Sequence, residues 1–585
     1  MHLCSLIVGA IGLVPLATAA PSSAPLGTRA DCNFDKGANH ACWQGTYNLN
    51  TNYYTDTPPS GGISEHWFNL SGLVLAPDGV SRPVLAINGS IPGPTIVANW
   101  GDTIIVHVTN NLEDQGTSMH FHGLRQKDTN DQDGVASVTQ CPITPGSTKT
   151  YTFVAHQYGT SWYHSHYGVQ AWDGVFGAIQ INGPVSAPYD IDLGPLLLSG
   201  WTHRTSESIF EDSLKAFDPV TNPSGPTDPD YVDTNNGLIN GTNVYNGAGS
   251  RFQLNFTEGS SHRLRLINTA INNHFVVSID NHTMQVIGAD FVSIEPFTTD
   301  LLYIGIGQRY DVIITANQTA GEYWFRADTQ GNCGMVEAIS DKNIKAVVRY
   351  NSSASKPGAE PLTDDNRKII PTTECLDMST LVKISPSMKL DVPTDVGTKT
   401  INESVSWTQA FDPTTSIITW QIKQTPYISE WGNPTLKQIV DPNAVFDPKQ
   451  HIVELTGKDV WVHMLIETDA GTPHPIHLHG HDFLILSQGA NPYDNATDVL
   501  NLVNPPRRDV AMLPGGHLYI AFLTDNPGAW LLHCHIGWHA SQGFAMTLLE
   551  RRDEIKADQT VIAAECAAWN TFAQGHNVTQ HDSGI

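Results

Sequence analysis

The stretch LYIAFLTDNPGAWLLHCH, residues 518–535, decides the fold. An apolar run rich in aromatic and branched side chains meets the turn Thr524-Asp525-Asn526-Pro527-Gly528, and a second run then ends in His533-Cys534-His535. Here an extended run, a Gly and an aromatic lead to a short block, in the strand-like manner of segments punctuated by Gly, Pro and Asn. The same pattern recurs in YTFVAHQYGTSWYHSH, residues 151–166, and in YDVIITANQTAGEYWFRAD, residues 310–328. Counting from Gly159, Gly321 and Gly528, the fifth residue onward is His164, Arg326 and His533, and the seventh is His166, Asp328 and His535. Self-similarity of this kind implies three copies of one unit, of which the middle copy has lost its His-x-His. Little sustained 3.6-residue periodicity precedes the C-terminal tail, so the units read as all-β sandwiches.

An earlier element repeats too. Gly101-Asp102 leads through Ile104 and Val106 to His120-Phe121-His122-Gly123, and Gly457 leads through Val460 and Val462 to His477-Leu478-His479-Gly480. The middle counterpart runs from Gly259 through Leu264-Arg265-Leu266 to His274-Phe275-Val276, without the second histidine. Proline-containing or polar connections near residues 185 and 370 divide the chain into domains at 30–185, 186–370 and 371–585. The outer two are expected to bind metal and the middle one to space them.

Residues before 30 are set apart. The apolar run Leu3 to Leu16 followed by Ala17-Thr18-Ala19-Ala20 reads as a cleavable signal peptide over 1–20, with a propeptide to about Arg29. No later run is long and apolar enough to span a membrane, and the ten Asn-x-Ser/Thr sequons, from Asn69 to Asn577, agree with a secreted glycoprotein. The 58 acidic against 31 basic side chains give a formal charge of −27, which argues against nucleic acid or anionic membrane as partner. Removing Cys4 with the signal leaves Cys32, Cys42, Cys141, Cys333, Cys375, Cys534 and Cys566. Six can pair in an oxidising compartment, and Cys534, between two histidines, is the natural odd one.

On a strand, residues i and i+2 share a face, so His-x-His aims two imidazoles at one metal or metal pair. The blocks His120/His122, His164/His166, His477/His479 and His533/His535 supply eight, two blocks from each outer domain. Imidazole serves zinc, iron and copper alike, but His474, Cys534 and His539 add a separate two-imidazole, one-thiolate set of the blue-copper kind. Where small blue-copper proteins carry an axial methionine, this chain has Phe544, which cannot coordinate; Met546, two residues on, reads as core. Ile536 is expected at the other non-coordinating axial position.

His-Phe-His-Gly, Trp-Tyr-His-Ser-His, His-Pro-Ile-His-Leu-His-Gly-His and His-Cys-His-Ile-Gly-Trp-His resemble the four copper motifs of multicopper oxidases, most closely the ascomycete laccases. The resemblance spans nearly the whole mature chain and implies three cupredoxin-like Greek-key domains and four coppers. It assigns His474, Cys534 and His539 to type 1 copper, His120 and His477 to type 2, and His122, His164, His166, His479, His533 and His535 to the type 3 pair. It implies one-electron oxidation of small aromatic donors coupled to four-electron reduction of O2 to water; a monomer is a separate expectation, for which the residues carry no signal. Asp133 matches a carboxylate near type 2 copper, though it also suits a turn before Gly134, and Asp582 in Asp582-Ser583-Gly584-Ile585 matches a C-terminal plug. The substrate edge is expected at His474 and Trp538. Asn272 stands where relatives carry an acid that takes the phenol's proton, a departure that an amide cannot make good. The family pairing joins Cys32 to Cys42, Cys141 to Cys566 and Cys333 to Cys375, while His481 fits a motif without being a ligand. The rivals are a ferroxidase-like relative and a non-catalytic copper-binding cupredoxin protein.

Overall fold

The computed structural model describes residues 32–215, 234–331, 333, 343–351, 361, 375–393, 400–412 and 417–585. The signal and propeptide expectations therefore lie outside the described residues, as does the connection near residue 370. Each third of the chain forms two facing sheets. In the first, strands Arg82–Ile87, Ile63–Leu75, Thr103–Asn110 and Thr148–Val154 make one sheet, and Gly93–Asn99, Phe176–Asn182, Gly159–His164 and His120–Phe121 make the other. The second third pairs a six-stranded with a five-stranded sheet, and the last a seven-stranded with a five-stranded one.

Alternation explains the outer strands. In Thr103–Asn110 the side chains of Ile104, Val106 and Val108 are buried and those between them only partly so, as expected of a strand with one face on a core. Gly528–Cys534 is instead buried along its whole length, because one face meets its own sandwich core and the other meets the first domain.

Antiparallel register places the ligand candidates. His120 stands opposite His164, and His477 opposite His533, the same pairing in both outer units. The middle unit departs from it. Its strand Glu322–Thr329 pairs with Phe275–Ile279 so that Phe275 faces Thr329 and Arg326 faces Ser278. Arg326 thus stands away from His274 and is paired with Asp280 at 2.9 Å.

Two of the three expected disulfides are present, Cys141–Cys566 and Cys333–Cys375; the Cys32 side chain lies outside the described residues. The first anchors helix Gln559–His576, capped by Asp558, whose side chain accepts from the Thr560 and Val561 amides. Ile562, Cys566 and Trp569 form its buried stripe against Val135, Val138 and Leu436 of two other segments. No helix among the described residues is long and apolar enough to cross a membrane.

Candidate metal centre

Eight imidazoles meet where the first and last units touch. Rings from opposite domains lie face to face, His120 over His479 at 4.0 Å and His122 over His477 at 3.9 Å, while His166 approaches His533 at 5.3 Å and His164 approaches His535 at 5.5 Å. All eight are buried. Hydrogen bonds settle which nitrogen is bare. Nδ1 of His120, His164 and His477 donates to the carbonyls of Asp133, Ser165 and Asp509 at 2.7, 2.9 and 2.7 Å. Their Nε2 atoms are left buried with no partner. His479 Nδ1 donates to Asp133 Oδ2 at 2.9 Å and His533 Nδ1 to the Cys534 carbonyl at 2.9 Å, yet their Nε2 atoms face each other at 3.2 Å. Two neutral imidazoles whose protons are already committed cannot hydrogen bond there, so the pair calls for a cation. Burial and neighbouring imidazoles hold His122, His164, His166, His477, His479 and His535 well below the usual histidine range, leaving the metal-binding neutral form. Unpaired buried nitrogens are costly, and a metal is the partner this donor set fits.

The second set is separate. Cys534 Sγ lies 3.7 Å from His474 Nδ1 and 3.6 Å from His539 Nδ1, and the two nitrogens are 3.2 Å apart. A metal bonded to two nitrogens and a sulfur in a trigonal plane requires donor separations of about 3.5–3.7 Å, so the three atoms need move little. Phe544 closes one side, its ring 4.9 Å from that of His474, and Ile536 is buried beside Cys534, with its backbone amide hydrogen-bonded to the thiol. Met546 is a core residue opposite Leu532.

Profiles of the multicopper oxidase family match residues 72–186, 192–353 and 418–554. The chain belongs to the multicopper oxidase family. It is 42% identical to Laccase-1 of Botryotinia fuckeliana, over 98% of this chain and 96% of that one. The crystal structure of the laccase from Botrytis aclada superposes with a TM-score of 0.85 at 40% identity, covering 95% and 100% of the two chains. Fet3p, a multicopper oxidase that functions in iron import, superposes at 0.73 with 26% identity, covering 89% and 97%. Copper is accordingly the family's metal, and three cupredoxin-like domains are its fold.

One expectation for this multicopper oxidase needs correction. His474 is 0% exposed and Trp538 6%, so neither forms the surface edge. His474 opens the strand His474–Leu478, which lies between Gly528–Cys534 and Val510–Leu513 in the middle of a sheet, and Trp420 covers its ring at 4.7 Å. The imidazole that reaches solvent is that of His539, partly exposed on the short helix Gly537–Ser541. Asn272 is partly buried in a loop that abuts this helix, where the Gly537 amide donates to the Ile271 carbonyl at 3.1 Å. His481 is no ligand candidate, since its Nε2 pairs with Glu550 at 3.0 Å.

Asp133 combines both roles read from its surroundings. It closes the short 3₁₀ turn Asn130–Gln132 before Gly134, and it also bonds two imidazoles of the cluster. Sequence reasoning missed Asp509, which accepts from His122 Nε2 at 3.1 Å through Oδ1 and from His477 Nδ1 through its carbonyl. It missed Arg309 as well, whose guanidinium grips both Asp509 oxygens at 2.5 and 2.6 Å. The strand count that located the histidines carries no signal for either residue.

The tail ends against the cluster. Ser583 exchanges backbone bonds with Ser541 and Ser429, and Ile585 shares a cavity of about 20 Å³ with His164, His166, His533 and His535. Asp582 faces a larger cavity of about 940 Å³, whose lining includes Tyr167, Asp173, Glu207 and Glu211. Burial, with Glu207 adding to it, pushes the Asp582 carboxyl up to about 7. A carboxyl raised in the folded state stabilises it fully below the unfolded value near 3.8 and loses that contribution as pH rises through about 7. The tail is therefore expected to be held most firmly below about pH 4 and to loosen towards neutrality, and Asp582→Asn to flatten that dependence. Hydrogen exchange of residues 578–585 against pH measures it, and equal profiles for parent and variant would contradict it.

Proposed function

We propose that this multicopper oxidase is a secreted laccase, a monomer carrying one type 1, one type 2 and two type 3 coppers. His474, Cys534 and His539 would hold the first, His120 and His477 the second, and the other six cluster histidines the pair. Bound copper supplies the one-electron steps, taking electrons singly from an aromatic donor and passing four to O2. The observation that carries the reading is the placement of Cys534 between His533 and His535 at the end of one buried strand, so that the thiolate set and the imidazole cluster are covalent neighbours.

The chain's own residues do the rest. His539 offers the donor a partly exposed imidazole edge, and Trp420 and Phe544 keep water from the thiolate set. Asp133 orients His120 and His479 and keeps Oδ1 free of a hydrogen bond beside them, which suits the proton delivery that making water requires. Oxygen uptake at a ratio of four phenol molecules per O2, without hydrogen peroxide release, is the expected result; peroxide as product would sink the reading.

Asn272 bears on substrate preference. A positioned base contributes on the order of 10²–10⁴-fold, and an amide supplies none. Asn272→Asp is expected to raise phenol turnover at acidic pH by about tenfold or more while leaving non-phenolic donors nearly unchanged. Steady-state rates on one donor of each kind, measured from pH 4 to 7, test it, and an equal change for both donors would count against it.

A further inference from the structure

None of the eleven copper-ligand candidates named above comes from the middle domain, yet one of its side chains reaches the cluster. Arg309 opens the strand Arg309–Thr315 and is 0% exposed. We propose that Arg309 is a positioning residue for the copper cluster, holding Asp509 in the one orientation that fixes His122 from the first domain and His477 from the third.

All three domains converge on this guanidinium. Nη1 and Nη2 donate to Asp509 Oδ1 and Oδ2, and Nε donates at 3.1 Å to the carbonyl of Thr160, on the strand that ends at His164. Asp290 braces the assembly from the other side. It accepts from the amides of Arg309 at 3.0 Å, Asp509 at 3.1 Å and Val510 at 3.3 Å, and it takes both Nε and Nη2 of Arg508 at 3.1 Å. The orientation of Asp509 is therefore set at its backbone and at its carboxylate alike.

The copper motif itself is shaped around the pair. Gly123, which ends His120-Phe121-His122-Gly123, has φ +74°, and a Cβ there would lie 2.4 Å from Asp509 Oδ2 and 2.5 Å from Arg309 Nη2. A glycine is needed because the Arg309–Asp509 pair occupies the space a side chain would take.

The chemistry gives the pair a task beyond packing. A bidentate arginine fixes the plane of a carboxylate as a lysine cannot. So held, Asp509 Oδ1 keeps the His122 proton on Nε2 and leaves Nδ1, 3.2 Å from His535 Nε2, unprotonated as a metal donor must be, while its carbonyl does the converse for His477. Partners of this kind typically change metal affinity by about 10–100-fold when removed. The thiolate set makes no hydrogen bond to Arg309 or Asp509, so its copper is expected to be indifferent to them.

The inference rests on the ligand reading given above, and the experiment separates the two. Full-length parent, Arg309→Lys, Arg309→Met and the double variant Arg309→Met/Asp509→Asn are titrated with a copper chelator. Copper per chain, the visible band of the thiolate set and the near-ultraviolet and paramagnetic signals of the cluster are followed, with thermal unfolding of each metal-free protein beside them. Expected are an intact blue band, metal-free unfolding close to the parent's for Arg309→Lys, and loss of cluster copper at about 10- to 100-fold lower chelator concentration. Arg309→Met leaves a buried carboxylate unpaired; if it does not accumulate, Arg309→Lys carries the test. The double variant, with that charge removed and the amide oxygen able to accept from His122, should recover part of the affinity. Variants that release cluster copper as the parent does, or that lose blue band and cluster together with lowered metal-free unfolding, overturn the proposal. A parent that takes up no cluster copper sinks the ligand reading instead.

Discussion

Replacing Cys534 with serine is expected to abolish the intense visible absorption and the oxidation of every donor, while most of the cluster's copper stays in place. A serine hydroxyl keeps its proton at neutral pH and is a hard donor, so the soft thiolate that defines a two-imidazole blue-copper set is gone. The fold should survive. Cys534 is fully buried, its amide donates to the Phe544 carbonyl at 3.0 Å, and the strand Gly528–Cys534 is paired on both sides through backbone bonds that serine leaves intact. Burying a hydroxyl there costs about 1–3 kcal/mol, well short of unfolding a chain with this much core. His533 and His535 remain to hold cluster metal. Metal analysis, the visible spectrum and oxygen uptake on phenolic and non-phenolic donors decide it, and retained turnover of either donor would show that electrons enter elsewhere.

Gly134→Ala should have the largest effect on stability of any change this small. Gly134 has φ +82°, and a Cβ there would stand 1.7 Å from the Met119 carbonyl oxygen and 3.0 Å from the His120 amide nitrogen. Neither obstacle is a side chain that could swing aside. The backbone entering His120-Phe121-His122 would have to move, and with it the Asp133 carbonyl that accepts from His120 Nδ1. The expected loss is on the order of 4 kcal/mol or more, about 3 °C or more in the melting temperature of a chain this long, with reduced copper at the cluster. Gly146→Ala is the control. Gly146 also has positive φ, +75°, but nothing lies within 4 Å of its Cβ position, so the cost should be only about 1 kcal/mol. Equal melting temperatures for the two variants would contradict the steric argument.

Much of the centre was legible because strands write their geometry into sequence with period two. His120/His122 and His533/His535 announce themselves by that spacing, and repetition in the outer units ties them together. The same spacing shows that the middle copy lacks a His-x-His. What failed was anything set by position across the sheet or between domains. His474 carries the right residue type, but its burial depends on lying in a central strand beneath Trp420, which no local pattern records. Arg309 and Asp509 are 200 residues apart and meet only because three sandwiches pack at one point. Even the internal count from Gly321 to Arg326 loses register, because the middle unit's strand runs on to Thr329 where the others end near their histidines.

On the proposed function, the two outer cupredoxin-like domains jointly hold a four-copper centre in which Cys534 links donor oxidation to oxygen reduction. Copper analysis of the purified protein, taken with its visible spectrum, tests it most directly. About four coppers per chain with an intense blue band is the predicted result. Zinc in the sites, or copper without the blue band, would contradict it.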